Sequence, residues 1–290
     1  LKSDNRSNIS YFLEHNVLLR RFTLSVGVLA NYNSALNEGI HFYPGIDASY
    51  RIGDNVRLYG SWNRALRMPT FTDLYYEGKT NKGNPDLKPE ESEAFEVGLK
   101  YNTYFLRAHI AGFYRKGKNM IDWVKEKPED IWESQNLTKV DNLGFETNLS
   151  LLPRELGNER FFIRKIELGY AFIHQDKDSE GYISNYALDY LKHKFTAQLS
   201  HSIWKGFSAT WYVRWQDRAG SYTKYENLKP AYEEPYAPYC LVDMKVNWEY
   251  QRLNLYAELN NLLNSTYYDL GNIPQPGIWF KAGFRYSFKY

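Results

Sequence analysis

Apolar side chains recur at every second position of this chain, in runs longer than an ordinary soluble strand. The final run sets Phe280, Ala282, Phe284, Tyr286, Phe288 and Tyr290 against Lys281, Gly283, Arg285, Ser287 and Lys289. Successive side chains of a β-strand point to opposite faces, whereas a helical face returns after about 3.6 residues. The run is therefore a strand with one aromatic face and one basic or small face. The same division separates Phe95, Val97, Leu99 and Tyr101 from Glu96, Gly98 and Lys100, and Phe207, Ala209, Trp211, Val213 and Trp215 from Ser208, Thr210, Tyr212, Arg214 and Gln216. Disorder is excluded by an aromatic content of 17%. Membrane-spanning helices are excluded as well: no stretch approaches roughly 18 uncharged apolar residues, and mean hydropathy is −0.61.

The alternation predicts thirteen strands, near 9–15, 20–31, 41–51, 56–66, 92–102, 105–116, 139–150, 162–174, 193–203, 207–217, 239–249, 252–261 and 277–290. Most reach the roughly 9 to 11 residues that a tilted strand needs to cross a bilayer, against about five or six in soluble sheets. Tight connections at 53–55, 103–104, 204–206 and 250–251 alternate with long ones at 67–91, 117–138, 175–192, 218–238 and 262–276. Outer-membrane barrels have this asymmetry, with short periplasmic turns and long extracellular loops. The fold expected is all-β: a transmembrane antiparallel up-and-down β-barrel, with residues 1–290 as one barrel domain. In this orientation the last strand runs inward to Tyr290 and the N-terminus lies outside. An odd strand number, and two sheet edges that lipid would not tolerate, lead to the expectation of the C-terminal ~13–14 strands of a barrel of about 22, with the plug domain absent.

The formal net charge of +2 supplies no drive toward a polyanion, so nucleic acid is not an expected partner. The lone Cys240 makes neither an internal disulfide nor a thiolate metal site.

One order of motifs is more specific. Arg67, Pro69, Leu74 and Tyr75 close a strand within residues 63–75; Gly83-Asn84-Pro85-Asp86-Leu87-Lys88-Pro89-Glu90 follows, and Glu96-Val97-Gly98 opens the next strand. This order resembles the barrel of TonB-dependent outer-membrane receptors. Leu259-Asn260-Asn261-Leu262-Leu263-Asn264 resembles that family's penultimate strand and loop, and Phe284, Tyr286, Phe288 and Tyr290 look like its C-terminal signal for the barrel-assembly machinery. Within the family, residues 271–280 are similar to vitamin B12 receptors of the Bacteroidetes type, with Ile278 where that type is expected to carry Arg.

The resemblance implies an outer-membrane receptor of a Gram-negative bacterium that takes up a large scarce nutrient. A cobalamin or other corrinoid is the first expectation, a ferric siderophore or haem the second. Energy would come from the TonB–ExbB–ExbD complex through the plug domain. Outer-membrane lipid, lipopolysaccharide, the barrel-assembly machinery and a surface lipoprotein are the further expected partners. No cofactor, resident metal or catalytic residue is expected. The alternatives are a passive outer-membrane channel and an outer-membrane hydrolase.

Tyrosine-rich loops suit a large, polar, partly planar ligand, because each ring offers apolar area and a hydroxyl at low entropic cost. The candidates are Tyr75 and Tyr76 in loop 67–91, Trp132 in loop 117–138, and Arg218, Tyr222 and Tyr225 in loop 218–238. The competing role for each aromatic is the girdle at the headgroup level. No triad or dyad motif surrounds the six histidines; His174 near Asp176 reads as a solvated rim pair. Asp176, Asp178 and Glu180 imitate the start of an EF-hand loop, but Ala187 occupies the position of its bidentate Glu, which leaves only a looser loop calcium site.

Overall fold

The computed structural model describes residues 5–34, 39–127, 129–157, 160–178, 181–184, 190–226, 229–270 and 273–288. In chain order its first elements are β1 (Asn8–Leu18), β2 (Phe22–Asn33), β3 (Ile40–Arg51), β4 (Val56–Arg67), α1 (Phe71–Tyr75) and β5 (Asn81–Lys82). Then come β6 (Glu90–Asn102), β7 (Leu106–Lys125), β8 (Trp132–Leu151), a 3-10 turn (Pro153–Leu156), β9 (Ile163–Asp178), β10 (Ile183–Ser184), β11 (Leu191–Trp204) and β12 (Phe207–Arg218). The chain closes with β13 (Ser221–Glu226), β14 (Lys229–Pro235), β15 (Tyr239–Tyr250), β16 (Leu253–Asn260), β17 (Tyr268–Leu270), β18 (Ile273–Pro274) and β19 (Trp279–Tyr286).

Two compact units divide the chain. The first comprises Leu1–Lys100, Ala111–Leu143 and Gln175–Ala187, and the second Tyr101–Ile110, Gly144–His174 and Leu188–Tyr290. In the first unit the strand order is β1-β2-β3-β4-β6, continuing into its parts of β7 and β8; in the second it ends in β9-β11-β12-β15-β16-β19. Each long strand thus lies beside its predecessor, and all thirteen expected strands are present. The result is the antiparallel up-and-down sheet that the alternation and short turns require.

Burial is inverted relative to a soluble protein. Among the described residues only eight hydrophobic side chains are buried, too few to form a core. The aromatic parity of β6 and β19 lies outside instead, with Val97 58% and Phe284 73% exposed. Opposite it run polar ladders: Glu258 of β16 takes ion pairs from Lys245 of β15 at 2.8 Å and Lys281 of β19 at 2.5 Å. An apolar exterior backed by a charged, paired interior face fits a strand wall between lipid and a hydrated lumen.

Three local features differ from expectation. The loop expected at 117–138 is largely strand, because β7 runs on to Lys125 and β8 starts at Trp132. In β7 the extension buries Asp122 and Val124 on one face and Lys125 on the other, and β8 buries Ser134, so polar and charged side chains are buried beside apolar ones and the apolar/polar alternation of a lipid-facing strand is lost. Second, the long loops at 67–91, 218–238 and 262–276 carry structure of their own: α1 and β5, the β13–β14 hairpin, and the β17–β18 pair. Third, β19 spans Trp279–Tyr286 rather than 277–290; the Asn264 Oδ1 atom accepts from Ile278 N at 3.0 Å just before it. Of the assembly signal, Phe284 and Tyr286 lie in β19, Phe288 follows it exposed, and Tyr290 falls outside the described residues. The calcium-loop positions Glu180 and Ala187 also fall outside them.

Candidate ligand-binding site

Loop 67–91 is built on a capped turn. Thr70 caps α1: its hydroxyl accepts from Asp73 N at 3.1 Å, and the Asp73 carboxylate accepts from Thr70 N at 2.9 Å, the reciprocal capping box. A fully buried Ser134 on β8 donates to Asp73 O at 2.5 Å. Gly83 returns so close to this turn that a Cβ there would sit 2.8 Å from Leu74 C and Tyr75 N, so the Gly-Asn-Pro motif begins where backbones touch.

The loop's end is clamped twice. Arg67 donates to Glu90 through Nε at 2.6 Å and Nη2 at 2.7 Å, and the same carboxylate accepts from Ile121 N at 2.8 Å. Asn136 of β8 accepts from Lys88 N at 2.8 Å and donates to Lys88 O at 2.9 Å and to Asn119 O at 2.6 Å. One side chain therefore serves three backbone groups, and Asn136→Ala is expected to free residues 77–89. Faster trypsin cleavage after Lys79 or Lys82 in the otherwise folded protein checks this; an unchanged rate would show that the clamp is redundant.

On this platform Tyr75 and Tyr76 are exposed, and Tyr76 meets Trp123 edge-on with ring centroids 6.3 Å apart. Trp132 is the first residue of β8, not part of a loop. Its N–H donates to Thr80 O at 2.9 Å, and Lys125 Nζ lies 4.5 Å from its ring centroid. Its ring is thus packed against a cation at the start of β8.

In the second unit the β13–β14 hairpin carries an aromatic stack. Tyr222 meets Tyr236 at 5.1 Å and Tyr268, from the β17–β18 pair, at 5.3 Å. Arg218 lies 4.7 Å over the Tyr236 ring and donates through Nη1 to Asp269 O at 2.6 Å. The Tyr239 hydroxyl reaches Gln216 and donates to Asp269 Oδ1, the latter at 2.6 Å. Burial raises the Tyr222 phenol above its ordinary pKa, with Tyr268 and Glu234 adding to the effect. Lys224 is also held above its ordinary value, first by a hydrogen bond with Tyr232 and then by Glu234, 3.5 Å away. Glu233 accepts from Thr223 at 2.6 Å and Ser221 at 3.1 Å.

Arg218 and Tyr222 therefore meet through Tyr236, while Tyr225, on the same hairpin, is exposed and outside the stack. Tyr268, Asp269, Ser134 and Asn136 carry contacts that sequence reasoning did not single out. Glu90 entered the sequence reading only as the last residue of the Gly83–Glu90 motif, with no sign of the clamp.

Comparison with known proteins agrees with this architecture. Residues 2–262 match the family described as TonB dependent receptor-like, beta-barrel. The vitamin B12 transporter BtuB of Vibrio vulnificus is 28% identical over 134 residues, covering 41% of this chain and 21% of the relative. The ferrienterobactin receptor of Escherichia coli is 22% identical over 297 residues, covering 92% of this chain and 38% of the relative. A variant of the ferric enterobactin receptor PfeA from Pseudomonas aeruginosa superposes with a TM-score of 0.74 at 20% identity, over 98% of this chain and 46% of that chain. The matches thus span less than half the length of these relatives. With nine-tenths of its residues matched, the chain belongs to the TonB-dependent receptor β-barrel family, the outer-membrane β-barrel proteins of Gram-negative bacteria.

Proposed function

We propose that this chain supplies wall and loops of a receptor that imports a corrinoid across the outer membrane, powered by the TonB–ExbB–ExbD complex. In this reading no bond of the cargo is made or broken. Membrane lipid and lipopolysaccharide surround the barrel, the assembly machinery inserts it, and a surface lipoprotein is a further partner.

The observation that carries the corrinoid reading is the tyrosine stack around Arg218. Residues 218–235 contain Arg218, Lys224 and Lys229 against Glu226, Glu233 and Glu234, a formal charge of zero. Lys224 is already paired with Glu234. A ferric tris-catecholate is highly anionic and calls for surplus cations. A corrinoid is large, partly planar and rich in neutral amides, which suits stacked phenols and one aromatic-bound guanidinium. The ferric siderophore remains the second reading, favoured by the likeness to the two enterobactin receptors.

Calorimetry of the natural protein with cyanocobalamin, haem and a ferric siderophore separates them. Arg218→Ala removes the guanidinium from Tyr236 and Asp269 and is expected to weaken cyanocobalamin binding by about 3- to 30-fold, the worth of one such contact. Tight siderophore binding with no cyanocobalamin heat would overturn the corrinoid reading.

A further inference from the structure

Strands β1 to β4 of the first unit enclose a second polar feature. Pairing of β3 with β4 ends at Gly45↔Asn63, next to Pro44, whose ring nitrogen has no hydrogen for the ladder, while pairing of β3 with β2 continues to Ile40. The strands part there and leave a hollow of about 600 Å³, lined among others by Asn8, Ser10, Asn31, Tyr43 and Arg64. Above β1, Arg6 donates to Pro69 O at 2.8 Å and stacks on Phe71 at 5.1 Å. The hollow thus sits at the end of these strands that leads into loop 67–91.

Two nine-tenths-buried side chains present unused polar atoms. Tyr43 is 9% exposed and Asn31 7% exposed. Asn31 spends its amide hydrogens on Asn8 Oδ1 at 2.9 Å and Ser10 Oγ at 2.8 Å, but no donor among the described residues reaches its Oδ1 atom, and the Tyr43 hydroxyl has no partner among them. Burying such groups unpaired is costly, so a native structure fills them with water or with a ligand. Asn31 lies opposite His41, which makes Tyr43 its diagonal cross-strand neighbour, at roughly 7 Å. Same-face neighbours that offer one O–H donor and one carbonyl acceptor match the two functions of a primary carboxamide, which accepts at its oxygen and donates at its nitrogen.

We propose that this hollow is a carboxamide subsite of the import path, in which Tyr43 donates to the carbonyl oxygen of a ligand amide and Asn31 Oδ1 accepts from its N–H. The assignment rests on the corrinoid reading and names the group that is recognised. Glu14 and Asp47 also line the hollow, and Arg64, the cation in its lining, is paired with Glu91 at 3.6 Å and Glu93 at 3.3 Å, so the balance disfavours a carboxylate in place of the amide.

The test is calorimetry on the natural protein with cyanocobalamin and with derivatives in which one peripheral amide is hydrolysed to the carboxylate. At least one derivative is expected to bind wild type about tenfold more weakly, and Tyr43→Phe is expected to weaken cyanocobalamin itself about fivefold. Tyr43→Phe should also shrink the penalty for that derivative, which a merely structural role for the tyrosine would leave unchanged. Equal binding of every derivative by wild type would overturn the subsite and mean that water alone fills the hollow; this arm needs no variant to fold. Absence of cyanocobalamin binding altogether would instead count against the corrinoid reading, a distinguishable failure.

Discussion

Replacing Glu90 by alanine is expected to lower the unfolding free energy by about 3 kcal/mol. The Glu90 carboxylate is almost wholly buried and accepts three hydrogen bonds, two from Arg67 and one from Ile121 N. Removing one partner of a buried ion pair costs about 3–5 kcal/mol because the other charge stays behind. Here the Arg67 side chain is 52% exposed, so water rescues part of that loss. The amide of Ile121 loses its acceptor as well, at about 1–3 kcal/mol. Urea unfolding in detergent micelles reads the result: a lower midpoint at an unchanged slope is expected. Arg67→Lys should fall between wild type and Glu90→Ala, because an ammonium keeps the charge but not the two-pronged geometry. A midpoint unmoved by Glu90→Ala would mean that the pair contributes nothing to holding loop 67–91.

Gly206→Val is expected to be the most damaging single change in a turn, abolishing insertion or costing more than about 3 kcal/mol. Trp204 faces Phe207 across a two-residue turn in which Lys205 has φ +32° and Gly206 φ +87°. Such turns match the twist of paired strands but demand left-handed backbone, which costs a β-carbon roughly 1–2 kcal/mol. A Cβ at Gly206 would also strike the carbonyl oxygen of Glu249, which belongs to the next strand's ladder and cannot swing aside. Overpacking of this kind adds about 1–3 kcal/mol. Insertion into lipid vesicles, followed by the gel shift between folded and heated forms, compares Gly206→Val with Lys205→Gly. Lys205→Gly should insert normally, whereas a normal yield for Gly206→Val would contradict the backbone geometry described.

Strand placement was legible because lipid and lumen impose opposite chemistries on alternate residues. Phe280 to Tyr286 carry that signature in full, and β19 forms where they lie. The β7–β8 extension was not legible, because a charged Asp122 is buried on the same face as the apolar Val124 and no solvent contrast separates them. The β13–β14 hairpin escaped for a similar reason: its pairing joins Tyr222 to Glu234 and Lys224 to Tyr232, with polar and aromatic residues on both faces. Among the site candidates, Arg218 and Tyr222 were found by composition, but their junction needed Tyr236, which lies far along the same loop. Trp132 was found as an aromatic residue and assigned to a loop, because its pairing with Asn81 in a parallel bridge joins segments with no local signal.

The sequence by itself determined the architecture and family. Period-two alternation, short turns against long loops and the Gly-Asn-Pro motif are local properties, and bilayer and lumen read them residue by residue. Only the tertiary structure decided which polar groups are satisfied and by whom. That Asn136 holds Lys88, that Glu90 serves both Arg67 and Ile121, and that Tyr43 and Asn31 keep atoms without partners among the described residues beside a hollow all depend on distances between segments that no local pattern sets. A hydrogen bond weakens within an ångström of its best length, whereas a hydrophobic face tolerates almost any neighbour of its kind. Pattern therefore specifies the wall, and three-dimensional register specifies the sites upon it.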